Sequence, residues 1–197
     1  MHHIRRLPFY AALGAQLAAW PLWLMGIFPE TRLRELCLDT MAWVVWGWTK
    51  EEAHEAFSWV AREYVAPRLY PEIMDRLRRH QSAGHRVVLV SGTFAPLLAA
   101  IGRQLEVPNT VGTPLILRDG HYTGRCERPL CQNEGKWLRL RAHVADETVD
   151  WQTSYAYADS HTDIPLLEKV GHPVAVEPDE ELATHAREQG WEIVELS

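Results

Sequence analysis

From Pro71 onward the chain alternates short apolar runs with amphipathic stretches, and this alternation restricts its fold more than any other feature. Strands separated by helices cannot join through tight turns. They connect by right-handed crossovers into a mainly parallel sheet. Pro71 opens a helix with Met74 and Leu77 on one face and Gly84 as its stop. A strand from Arg86 to Val90 and a helix from about Pro96 to Leu105 follow. Leu115-Ile116-Leu117 and His121-Tyr122-Thr123 flank Asp119-Gly120, a hairpin signal. A helix carrying Lys136 leads to a strand from Ser154 to Ala158, a helix from Ile164 to Val170 and a strand from Pro173 to Val176. A helix from Asp179 to Gln189 and a strand from Trp191 to Val194 close the series.

The first seventy residues have a different grammar, with helices only. Thr49 and Glu52 form a capping-box pattern, after which Ala53, Ala56, Phe57, Val60 and Tyr64 recur at helical spacing opposite Glu51, Glu55 and Arg62. Leu33, Leu36, Leu38, Met41 and Val44 give a looser helical pattern before it. Six of the nine tryptophans fall in this half, and a bulky core is the default explanation. Leu7 to Phe28 carries no charge and is long enough to span a bilayer, with His2, His3, Arg5 and Arg6 just before it. Gly14, Gln16 and Pro21 argue instead for two shorter buried helices broken near Pro21. A membrane-embedded or membrane-resting segment over residues 7–28 is the competing reading. A cleaved signal peptide is disfavoured, because the apolar region is too long and no small-x-small site follows it.

Composition excludes some functions. A length of 197 residues allows one substantial core with an appendage. A net charge of -6 with scattered arginines gives no grip on a phosphate backbone, which excludes nucleic acid as a general partner. Cys37, Cys126 and Cys131 are odd in number and suit a reducing cytoplasm. Their spacing with His121 matches no familiar zinc site.

In a parallel α/β sheet the ligand site lies at the strands' carboxyl ends. Two strands here end in chemistry. Tyr157-Ala158 runs into Asp159-Ser160-His161-Thr162-Asp163-Ile164-Pro165-Leu166-Leu167, placing two carboxylates four residues apart before a helix start, a pair able to hold a divalent cation. Val87-Val88-Leu89-Val90 delivers Ser91-Gly92-Thr93, a hydroxyl and a glycine amide. Lys136 lies between them in Asn133-Glu134-Gly135-Lys136-Trp137. Taken singly, each has an ordinary explanation as turn residue, solvated charge or helix cap. In this order they resemble motifs II, III and IV of the haloacid dehalogenase superfamily, most closely its phosphoserine-phosphatase-like branch.

The resemblance implies a Rossmann-like three-layer α/β core over residues 71–197, with residues 1–70 as the helical cap that such phosphatases insert after motif I. It also implies Mg²⁺ as cofactor, held by Asp159 and Asp163, and a small phosphorylated metabolite as substrate. Ser91 and Gly92 would donate to the phosphoryl oxygens, and Lys136 would bridge phosphate and carboxylate. Thr162 stands where many relatives have Asn, and His161 is expected to face solvent or substrate. No D-x-D-x-T or D-x-D-x-V follows an apolar strand before Ser91, so motif I and the first core strand are missing. Asp39-Thr40 and the Asp146 to Asp150 stretch do not replace it. Relatives form an aspartyl-phosphate on the first motif I acid and use the second as general acid and base. The expectation is therefore a cytoplasmic phosphatase that is truncated and of low activity as given, with a strand preceding Met1. A catalytically inactive phosphate- or metal-binding module, or a membrane-associated one, is the alternative.

Overall fold

A computed structural model describes residues 6–25, 29–145 and 147–196. The alternating half forms as its pattern requires, although its parallel strands divide into two ladders. Strand β1 (Val88–Phe94) crosses over through helix α5 (Ala95–Gln104) and pairs in parallel with β2 (Asn109–Thr113). Strand β5 (Tyr155–Ala158) pairs with β6 (His172–Val176), and β6 with β7 (Glu192–Val194), again in parallel. The short helix α7 (Ile164–Leu167) and helix α8 (Glu180–Gln189) make these connections. β1 and β5 are not hydrogen-bonded neighbours, so each keeps one edge unpaired with any other described strand. The strand that the resemblance places in the core has no counterpart among the described residues.

The boundaries differ from those expected in instructive ways. β1 starts at Val88 and continues through Ser91-Gly92-Thr93 to Phe94, so Ser91 lies within the strand rather than after it. Its pairing with β2 is regular from Val88↔Asn109 to Val90↔Val111 and is then interrupted until Phe94↔Thr113. The sequence reading does not contain β2, because Asn-Thr-Val-Gly-Thr has no apolar run and becomes a strand only against β1. Gly102 lets α5 pack closely on the start of β2: a Cβ there would lie 2.5 Å from the Val107 carbonyl oxygen and 2.7 Å from Thr110 Cγ2. The hairpin of β3 (Leu115–Arg118) and β4 (His121–Cys126) forms as expected. Asp119 at φ 49° and Gly120 at φ 78° occupy the two left-handed positions of its turn.

Before this lie α1 (Arg6–Leu24), α2 (Glu30–Ala42), α3 (Lys50–Trp59) and α4 (Pro71–Ser82). Thr49 and Glu52 close the capping box, with Thr49 N donating to Glu52 Oε2 at 2.8 Å and Glu52 N to Thr49 Oγ1 at 3.2 Å. After Trp59 the chain makes a π-helical turn over Val60–Val65. The wider turn advances the inward stripe by one residue. Ala53, Phe57 and Ala61 are buried, while Tyr64, expected on that stripe, is exposed. Leu38, Ala42, Val45, Phe57, Phe94, Leu115 and Tyr122 belong to one buried cluster, so the helices share a core with α5 and the hairpin.

Two expectations for the amino-terminal half are corrected. α1 is a single helix that passes through Pro21 instead of breaking there. The ring leaves the Leu17 carbonyl without its helical N–H partner, but Leu17 and Pro21 both lie on the exposed side, where water reaches that carbonyl. The tryptophans are not mainly core: Trp20, Trp43, Trp46 and Trp59 are exposed, and Trp48 packs partly buried against the cluster. Small residues such as Ala12, Ala19, Ala42 and Ala53 do the close packing in their place. No helix among the described residues is long and apolar enough to cross a membrane.

Candidate active site

The cleft is organised around the ion pair from Lys136 Nζ to Asp163 Oδ1. Asp163 is 6 % exposed and, with Thr40 and Thr113, makes up the buried polar side chains of the described residues. A carboxylate so removed from water requires a cation or several donors. Lys136 meets that need from helix α6 (Glu134–His143), whose amino end is fixed in two ways. Gly135 N donates to the Gln132 carbonyl at 2.8 Å, and Lys136 N to the Asn133 carbonyl at 3.0 Å. A Cβ on Gly135 would overlap the Leu130 carbonyl oxygen, so only glycine lets α6 start this close to the preceding loop. On the other side, Ser160 caps the 3₁₀ turn His161–Asp163, and Asp163 N donates to the Ser160 carbonyl at 2.9 Å. Leu167, completely buried with Leu182 and Ala175, anchors α7 below. A fully buried leucine contributes about 1.5–3 kcal/mol, enough to hold the acidic turn in place.

Gly92, Lys136, Asp159 and Asp163 line one cleft of about 600 Å³, together with Gln132 and Thr162. Residues that are far apart in the polypeptide thus meet at the carboxyl ends of β1 and β5. Ser91 is not among the lining residues; its Oγ turns back to accept from Thr93 N at 3.2 Å. Asp159 is exposed, and among the described residues its carboxylate has no hydrogen-bond or ion-pair partner. Such a group suits a hard cation that keeps several waters. Among the described residues no cluster of three or more His, Cys, Asp or Glu side chains able to bind a metal is present.

The sequence reading does not include the residues that brace this cleft. Thr113 is completely buried; its hydroxyl donates to the Gly92 carbonyl at 3.0 Å and accepts from Cys131 N at 3.0 Å. It ties the end of β1 to the loop that carries Lys136. Cys131 Sγ donates to the Val111 carbonyl at 3.5 Å, and burial pushes its thiol pKa up, so this cysteine is a structural group. Gln132 lies against Gly92, and its Oε1 is buried without a hydrogen-bond partner. No local pattern marks any of these three.

His161 does not line this cleft but an adjoining surface depression. Its Nδ1 is 2.8 Å from Asp179 Oδ2, which also accepts from the His161 amide at 2.9 Å. Burial alone would raise the Asp179 carboxyl pKa, but the amides of Leu182 and His161, and then the His161 ring, hold it below the ordinary range. Asp179 thereby caps α8 and fixes His161 in a neighbouring acidic depression with Glu181 and His185.

Comparison with known proteins places the chain in a family. The family description "haloacid dehalogenase-like hydrolase" matches residues 2–168. A probable phosphatase of Mycobacterium tuberculosis is 33% identical over 151 residues, which are 77% of this chain and 52% of that protein. A histidinol-phosphatase of Neisseria meningitidis is 33% identical over 168 residues, 80% of this chain and 76% of that one. A crystal structure of a Bordetella pertussis protein of unknown function superposes with a TM-score of 0.75 at 29% identity, covering 90% of this chain and 79% of that chain. The chain spans about half the length of its mycobacterial relative.

Proposed function

The chain belongs to the haloacid dehalogenase-like hydrolase family, and from that premise we propose that the cleft is a phosphatase site for a small phosphomonoester. The observation that carries this reading is the buried Lys136–Asp163 pair in one cleft with Gly92 and the exposed Asp159. In the proposed arrangement the phosphoryl group meets the Gly92 amide, with the Ser91 hydroxyl as a second donor once it turns from Thr93. Lys136 supplies a fixed positive charge to the phosphoryl oxygens, and Asp163 keeps that ammonium in place. Asp159, with Asp163 beside it, would hold Mg²⁺, which neutralises phosphoryl charge when bound. The amino end of α5, where Pro96 lies in the first turn, adds a positive helix end close to β1.

A second reading keeps the binding and drops the turnover. It rests on the absence of a D-x-D-x-T or D-x-D-x-V segment before Ser91. Without an aspartyl nucleophile the covalent route is closed, at a cost of several powers of ten in rate. For these 197 residues taken by themselves, this second reading expects phosphate binding with little hydrolysis. Calorimetric titration of inorganic phosphate with Mg²⁺ tests the binding half. Lys136→Ala and Asp159→Asn should each weaken it, and unchanged affinity in both would refute the site. An aryl phosphate assay tests the other half: turnover that disappears in Asp159→Asn would overturn the expectation of low activity.

A further inference from the structure

Helix α1 is built inside out. Every exposed position from Tyr10 to Pro21 carries an uncharged, mainly apolar residue, and the large ones, Tyr10, Leu13, Leu17 and Trp20, follow each other at spacings of three and four. The buried positions are small, Ala12 and Ala19. The polar residue, Gln16, turns inward, with Nε2 donating to Thr40 Oγ1 at 3.1 Å. In a helix on a water-facing surface this arrangement would be reversed. Leu17 is 65 % exposed and Tyr10 64 %.

We propose that this face of α1 rests on the surface of a phospholipid bilayer, lying in the interface without crossing it. Three observations favour lipid over a second copy of the chain. The stripe offers on the order of 500 Å² of accessible surface, short of the roughly 800 Å² per partner in a stable protein interface but ample for a shallow interfacial helix. Tyr10 and Trp20 are of the amphipathic aromatic type that settles at headgroup level. The sequence just before the stripe, His2-His3-Ile4-Arg5-Arg6, is basic in a chain of net charge -6, so the attraction for anionic headgroups is local to this end. Trp20 also lines the cleft that holds Lys136 and Asp159, so a seated α1 brings the mouth of that cleft to the lipid surface.

Flotation of the full chain with vesicles of phosphatidylcholine, alone or mixed with phosphatidylglycerol, tests this. The chain should float with the mixed vesicles. Leu17→Glu, at an exposed position, should keep its helical circular dichroism yet bind roughly tenfold or more weakly, the factor supplied by burying one leucine. Failure to float with either vesicle, or equal binding by Leu17→Glu, overturns the proposal. So does a dimer seen by light scattering that Leu17→Glu dissolves in the absence of vesicle binding, which would assign the face to a second copy.

Discussion

Replacing Lys136 with Met removes the ammonium but keeps most of the aliphatic stem, which isolates the charge. The Lys136 and Asp163 side chains are 14 % and 8 % exposed, so water cannot take over the lost contact. Breaking one side of a buried pair typically costs about 3–5 kcal/mol, because the remaining charge is stranded. For a domain of this size each kcal/mol lowers Tm by about 2–4 °C, so Lys136→Met should melt roughly 6–20 °C below the parent. The assays are urea denaturation and thermal melting by circular dichroism. The discriminating variant is Lys136→Met with Asp163→Leu, which removes both charges and fills the space. It should recover most of the lost stability, since an apolar replacement of a buried pair is often neutral, yet still fail to bind phosphate. A loss below about 1 kcal/mol in Lys136→Met would show that water reaches the pair, and the electrostatic reasoning for the cleft would fail.

Thr113→Val removes a hydroxyl that satisfies both the Gly92 carbonyl and the Cys131 amide, and should cost about 2–4 kcal/mol in urea denaturation. Saturation of Asp159 with Mg²⁺ at about tenfold over its Kd should stabilise the parent by about 1.4 kcal/mol; a thermal shift that persists in Asp159→Asn would place the cation elsewhere. Stability should decline on acidification in two steps. Burial, followed by repulsion from His85 and Arg76, holds the His80 pKa below its ordinary value, so the unfolded chain takes up a proton first and stability is lost as pH falls through about 6.5 toward the folded pKa. The lowered carboxyl of Asp179 adds a second loss further into acid, as pH passes its unfolded and then its folded pKa. Melting curves from neutral to acid pH should show both, and His80→Gln should flatten the first.

Several parts of the molecule were legible in the sequence because their cause is local. The capping box at Thr49, the hairpin turn at Asp119-Gly120 and the Asp163-Ile164-Pro165 helix start each depend on residues within four positions, and each forms where the pattern puts it. Apart from β2, the order of strands and helices was legible for the same reason, and with it the placement of Gly92 in the later half of β1 and of Asp159 just after β5. Contacts between distant segments were not legible. β2 exists because β1 lies beside it, and Thr113 matters because Gly92 and Cys131 approach it from two directions.

The amino-terminal half shows the same division most clearly. The charge-free apolar run over residues 7–28 marks helical structure, but it fits two short buried helices, or a segment in or on a bilayer, as well as the single helix that forms over Arg6–Leu24. Packing decided which side of α1 faces out: Ala12 and Ala19 fit closely against their neighbours, Gln16 finds Thr40, and the bulky residues are left outside. Sequence alone supplied the chemical groups and the helices and strands that carry them. Their convergence on one cleft, with Asp163 deprived of water and held by Lys136, came from tertiary structure, because burial and electrostatic pairing are properties of neighbours in space and not of neighbours in the chain.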